Sequence, residues 1–254
     1  MKILETLQQK HRVGKKSIAV LIDPDKAEDL VKLKHLVHLA SENCTDYFFV
    51  GGSLITTPNI AEVIQSIKED VNIPVVLFPG SSIHIDPSAD AILFLSLISG
   101  RNPDLLIGQH VQAAPILKNS RMEVLPTGYM LISSGRTTSV AYISNTTPIP
   151  EDKYSLAACT AMAGELLGLR LIYLDAGSGA DREISARMIT SVRKSINVPM
   201  IVGGGINTAQ KAINALEAGA DMIVIGNALE KTPDLLSEIS DKVYDWNQSV
   251  EAGK

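Results

Sequence analysis

Eight short apolar runs recur along this chain, and most are closed by glycine or aspartate before a stretch with helical spacing begins. SIAVLI at 17–22 is the plainest of them, and DYFFV at 46–50, PVVLF at 74–78 and Ala91 to Leu95 follow. Further runs lie within Met122–Ile132, at Leu171–Leu174, from Pro199 to Val202 and at Met222–Ile225. An unbroken apolar run suits a strand buried on both faces, as strands are in a parallel sheet. Parallel neighbours need a long crossover, which the intervening helices supply. No linker of biased composition interrupts the cycle, so the pattern predicts one α/β domain over residues 1–254. Eight repeats favour a closed (β/α)8 TIM barrel over an open sheet. The segment IHIDPSAD after the third strand is too short and Pro-interrupted for a full helix, so the barrel is expected to be irregular there.

In such a barrel the chemistry belongs on the loops that follow the strands. Two consecutive strands end in Gly203-Gly204-Gly205 and Gly226-Asn227, each before a helix. Glycine admits close approach to the backbone, and the first N–H groups of a helix lack internal partners. The pair therefore predicts a phosphate site after strands seven and eight. Asp175 closes strand six beside it, placed to orient or deprotonate a ligand hydroxyl, and Gly177-Ser178-Gly179 leaves backbone N–H groups free. Asp23 and Asp25 follow strand one, where carboxylates facing a phosphate suggest Mg²⁺ shared with the substrate; Asp25 equally suits the cap of the next helix. Ser53 is a candidate hydroxyl ligand. Arg101 and Arg136 lie on strand-end loops, where a cation could meet a second phosphate or simply face solvent. His110 reads as a packed or surface histidine, and His84 as a residue of the rim. The 18-residue loop 133–150 is the longest connection and a candidate lid.

The 254 residues are 45% hydrophobic, ample for one large core, and a net charge of −5 argues against nonspecific nucleic-acid binding. No apolar run reaches the roughly 18 residues of a membrane span, and the polar start is unlike a secretory signal, so a cytoplasmic protein is expected. Cys44 and Cys159 lack metal-ligand spacing and are expected to be buried free thiols. Lys10, Arg12, Lys15 and Lys16 read as solvated.

Taken together, LIDPDK at 21–26, FVGGS at 49–53, FPGSS at 78–82, YLDAGSGA at 173–180, VGGGI at 202–206 and VIGNA at 224–228 resemble the geranylgeranylglyceryl phosphate synthase family, which includes bacterial heptaprenylglyceryl phosphate synthases. The resemblance spans nearly the whole chain in order. It implies a Mg²⁺-dependent TIM-barrel prenyltransferase joining a polyprenyl (geranylgeranyl) diphosphate to the C3 hydroxyl of sn-glycerol 1-phosphate, with release of diphosphate, for ether lipid synthesis. By position, Asp23 and Ser53 resemble the family's metal ligands. Tyr173, Leu174, Asp175, Ala176, Gly177, Ser178, Gly179, Gly203, Gly204, Gly205, Gly226 and Asn227 resemble its glycerol-phosphate loops. Asp25, Arg101, Arg136, Tyr129 and Tyr142, with Ile143, are candidates for the diphosphate or the prenyl tail. Two departures stand out: Leu21 replaces a lysine found in some members, and Asp175 replaces a common glutamate. A homo-oligomer, dimer or hexamer, is implied as well. Two other readings stay open: another phosphate-binding barrel enzyme, such as a phosphosugar isomerase or indole-type synthase, and a barrel that binds phosphate without catalysis.

Overall fold

The computed structural model describes residues 2–27 and 29–253. Eight parallel strands close into a barrel in sequence order, each hydrogen-bonded to the next and the last to the first. A leading helix α1 (Ile3–Val13) precedes β1 (Ser17–Ile22), α2 (Leu30–Glu42), β2 (Tyr47–Gly52), α3 (Ile60–Asp70) and β3 (Val75–Pro79). Then come β4 (Ala91–Leu97), α4 (Gln109–Asn119), β5 (Glu123–Leu131), α5 (Ser139–Ser144), α6 (Tyr154–Leu166) and β6 (Leu171–Asp175). The chain ends with α7 (Ala186–Arg193), β7 (Met200–Gly203), α8 (Ala209–Glu217), β8 (Met222–Ile225), α9 (Asn227–Lys231) and α10 (Leu235–Glu251).

Alternation along each strand divides the core in two. Ala19, Phe49, Val76, Leu93, Tyr173 and Ile201 fill the barrel, while Ile18, Val20, Phe48, Val50, Ile172 and Val202 pack outward beneath the helices. Both faces are dry, which is why the runs read as continuously apolar. Near the start of three strands an N–H donates to the side chain of an aspartate just before the next strand. Asp46 accepts from Ile18 N (2.9 Å), Asp90 from Val75 N (2.8 Å) and Asp221 from Met200 N (2.7 Å).

The lower end of the barrel is closed by α1. Leu7 joins the interior cluster, Ile3 and Leu4 pack against it, and the amides of Ile3 and Leu4 donate to the Glu123 carboxylate at 2.7 and 3.0 Å. These bonds satisfy two of the helix's unpaired N–H groups and place a negative charge at its positive end.

Between β3 and β4 the wall parts. Their pairing stops at Leu77 with Ile92, whereas β3 continues along β2 to Pro79 with Gly52, and β4 along β5 to Leu97 with Tyr129. The connection there carries only a 3₁₀ turn, Ser82–His84, in place of a helix, as the proline-broken sequence predicts. A π-helical turn, Asp104–Gly108, leads into α4 on the other side of the opening.

Several expectations are corrected. Cys44 and Cys159 are free but exposed, Cys44 in the turn after α2 and Cys159 on the solvent side of α6. Lys10 and Lys16 are structural: Lys10 pairs with Asp46, and buried Lys16 donates to Ala220 O at 2.7 Å beneath the Trp246 ring. Lys15 pairs with Glu251. The helix expected over 182–195 starts only at Ala186, where Ser185 caps it through Met188 N. The final helix expected over 231–246 begins after Pro233 and runs to Glu251.

Candidate functional site

The strand ends and their loops enclose a cavity of about 890 Å³. One end is polar and made of backbone. At Gly204 (φ +80°) and Gly205 (φ +71°) the chain is left-handed, and a Cβ on Gly204 would sit 2.7–2.8 Å from Asp175 Oδ1, Ala176 N and Gly177 N. No L side chain fits there without movement, which is the physical reason for the glycine run. Among the described residues, the amides of Gly204, Gly205, Asn227 and Ala228 donate to no protein acceptor. Four unpaired donors at the cavity wall are an arrangement that could receive an anion such as a phosphate. Asn227 links the surrounding loops, accepting from Lys26 Nζ (2.6 Å) and donating to Ser178 Oγ (2.9 Å).

Asp175 is buried beside these amides. Its Oδ1 accepts from Gly177 N at 2.8 Å and its Oδ2 from the Tyr129 hydroxyl at 2.5 Å. Burial pushes its pKa up, and the two hydrogen bonds pull the other way without cancelling it. Gly177 therefore spends its N–H on Asp175, so this amide, expected to be free, is committed. Phe78 stacks on Tyr173 (5.4 Å between centroids) and meets Tyr129 edge-on (6.0 Å), while the two tyrosines form a T at 5.5 Å. Leu174 and Ala176 point into the outer layer. Their part in the site is backbone alone.

Asp23 and Ser53 line the same cavity on the loops after β1 and β2, which follow β8 around the rim. Asp23 also caps the turn after β1 through Asp25 N (3.2 Å). Asp25 points elsewhere: its carboxylate accepts from Thr56 N, Thr57 N and Thr56 Oγ1 at 2.8–2.9 Å, tying the loops after β1 and β2 together. Desolvation acts to raise its pKa, but these bonds outweigh it and hold the group low. Its structural role is a tie between loops, neither the helix cap nor a cavity-lining ligand.

The other end of the cavity is apolar. Leu93, Leu95 and Leu97 reach it from inside the barrel and Ile92 and Phe94 from outside, so it passes through the parted wall between β3 and β4. Ile143 lines it, whereas Tyr142 is 80% exposed and outside the lining. Tyr129 stands at the junction of the two ends. Arg101 turns back on the carbonyls of Ile98 and Gly100, and Arg136 pairs with Asp181 at 3.5 Å; neither lines the cavity. His110 packs edge-on to Phe94 at 4.4 Å in the apolar end, with its pKa lowered by desolvation. Sequence reasoning missed Lys231 and Asn207, which line the polar end. Their signal was slight: each lies only a few residues beyond a glycine-ended strand.

A model of the PcrB family matches residues 11–243. Geranylgeranylglyceryl phosphate synthase of Spirosoma linguale is 58% identical over 93% of this chain and 95% of its own length. The enzyme of that name from Korarchaeum cryptofilum is 38% identical over 92% and 96%. A crystal structure of (S)-3-O-geranylgeranylglyceryl phosphate synthase from Thermoplasma acidophilum, in complex with its substrate sn-glycerol-1-phosphate, superposes with a TM-score of 0.90 at 33% identity, covering 96% of this chain and 99% of that one. Thiamine phosphate pyrophosphorylase from Pyrococcus furiosus, at 13% identity and a TM-score of 0.57, shares the fold alone. A family match over nearly the whole length, a shared barrel and the strand-end motifs agree: this chain belongs to the PcrB family.

Proposed function

We propose that the protein is a prenyltransferase that joins a polyprenyl diphosphate to the C3 hydroxyl of sn-glycerol 1-phosphate and releases diphosphate. One observation carries this reading. A single cavity joins an amide-lined anion pocket, through a buried carboxylate, to an apolar passage out of the barrel wall. A phosphosugar isomerase has no use for that passage, since its substrate is polar throughout. The crystallised Thermoplasma acidophilum relative, in complex with sn-glycerol-1-phosphate, supports the choice of acceptor.

In this reading the amides of Gly204, Gly205 and Asn227 hold the glycerol phosphate, and Lys231 adds positive charge at the cavity wall. Asp175 is the base on which the charge of the C3 hydroxyl's proton ends as that hydroxyl's oxygen attacks the first prenyl carbon. Fixing both partners at one rim removes most of the entropic cost of their meeting. The prenyl tail lies along the apolar side chains of Leu93, Leu95 and Phe94.

The residues present also fit Mg²⁺. Asp23 offers a carboxylate and Ser53 a hydroxyl at the same wall, an all-oxygen set suited to a hard cation. Among the described residues, no group of three or more His, Cys, Asp or Glu could hold a metal. Two ligands are what a site completed by substrate phosphates requires. When bound there, Mg²⁺ would supply positive charge to the departing diphosphate. A homo-oligomer fits the outer face of α6, where Leu156, Met162, Leu166 and Leu167 are exposed. Among the described residues, no helix is long and apolar enough to cross a membrane.

The test is incubation with radiolabelled sn-glycerol 1-phosphate, Mg²⁺ and prenyl diphosphates of several lengths. Extraction of a labelled ether lipid is expected. Absence of ether product with every donor rejects the transferase reading.

A further inference from the structure

Both oxygens of Asp175 already accept a hydrogen bond, so an acceptor alcohol approaching directly would have to share one of them. Its Oδ1 is held by Gly177 N and its Oδ2 by Tyr129, in the shorter of the two contacts. The side chain is buried at 7% exposure, one layer above Tyr129 on the neighbouring strand: Leu131 pairs with Asp175, and Tyr129 with Tyr173 below. The phenol rises from that lower layer to meet the carboxylate from the cavity side. Tyr129 lines the cavity where the polar and apolar ends join, so its hydroxyl stands where the reacting oxygen and the first prenyl carbon must come together. Phe78 and Tyr173, stacked on one another, both pack edge-on with its ring at 6.0 and 5.5 Å between centroids. Its remaining lone pair is free to accept.

We propose that Tyr129 is a catalytic residue that relays the acceptor's proton to Asp175. The inference rests on the transferase reading above and deepens it. In one step the C3 O–H bond breaks and its proton passes to Tyr129 Oη, while the Tyr129 proton passes to Asp175 Oδ2. The freed electron pair on the C3 oxygen forms the bond to the first prenyl carbon. The bond from that carbon to the diphosphate breaks, and its electron pair leaves with the diphosphate. Asp175 then returns the proton to solvent. The electrostatics suit such a relay: burial and the neighbouring carboxylate push the Tyr129 pKa far up, so the phenol gives a proton only as it takes one.

The wild type is first assayed for ether product from geranylgeranyl diphosphate, sn-glycerol 1-phosphate and Mg²⁺; a wild type that makes none overturns the transferase reading itself. Given product, Tyr129→Phe is expected to lower the single-turnover rate roughly 100-fold, the scale of general acid–base catalysis, with KM for glycerol phosphate changed less than about threefold. Adding Asp175→Glu to that variant carries the carboxylate one methylene further into the cavity. This double variant should recover roughly tenfold, which a purely structural role for the phenol would not produce. A second measurement needs no variant: in mixtures of H₂O and D₂O, the wild-type single-turnover rate should curve with deuterium fraction, because two protons move together. A wild-type rate linear in deuterium fraction, or a Tyr129→Phe rate within about twofold of wild type, overturns the relay while leaving the transferase reading intact.

Discussion

Replacing Gly204 with alanine tests the phosphate cradle at its tightest point. The residue has φ +80°, so alanine there costs about 1–2 kcal/mol in backbone strain. Its methyl would lie 2.7–2.8 Å from Asp175 Oδ1, Ala176 N and Gly177 N, all of them held in place by hydrogen bonds. None can retreat alone, so the loop after β7 must move and take its amides with it. Losing one charge-assisted bond to phosphate costs about 1.5–3 kcal/mol, or roughly 10- to 100-fold in affinity. Gly168→Ala is the control. It has φ +90° with no atom within 4 Å of the added methyl, so it carries the strain without the collision. Titration calorimetry with sn-glycerol 1-phosphate should show weakened binding in Gly204→Ala and normal binding in Gly168→Ala, with both variants melting lower than wild type. Wild-type affinity in Gly204→Ala would refute the cradle.

Three further outcomes are expected. Asp23→Ala should lose prenyl transfer, and loss of the cap to Asp25 N contributes about 1 kcal/mol to its fall in stability; retained turnover would remove Asp23 from the reaction. Asp175→Asn should show a stability difference that depends on pH. Burial raises the wild-type carboxyl above 3.8, so the folded protein binds that proton more tightly than the unfolded chain. The contribution favours folding below pH 3.8 and is lost as pH climbs through the raised value. The Asn variant lacks this loss, so its melting temperature relative to wild type should be higher at pH 7 than at pH 4, and an equal difference at both would contradict the shift. Asp221→Ala strips partners from Met200 N, Arg193 and His11, and should cost about 3 kcal/mol, seen as a Tm roughly 6–12 °C lower.

The barrel was legible because its signal is local. Ser17–Ile22 and Met222–Ile225 are strands over the residues their apolar runs mark, and the proline-broken segment after β3 forms no full helix. The glycine-ended mouths of β7 and β8 were legible too, since a left-handed backbone like that at Gly204 and Gly205 narrows the choice of residue to almost one. Partnerships between distant residues were not. Lys10 and Lys16 look solvated until Asp46, Ala220 and Trp246 are brought to them. Asp25 looks like a ligand or helix cap until the loop of Thr56 folds over it. Tyr129 reads as a greasy wall, because nothing within strand five announces that its hydroxyl will find Asp175 across the strand pair. Cys159 was misjudged for a related reason: which side of a helix meets solvent depends on neighbours that the helix does not encode.

With α1 seated like a stopper in the lower mouth, pinned by Glu123, the barrel has a single working rim. In the proposed reaction two reactants and two products would share it. The newly made lipid would lie with its head under the glycine loops and its tail out through the flank, so a fresh alcohol would find its seat taken until that tail had been drawn clear. Departure would then govern turnover as much as bond making, and whatever receives the tail would set the pace.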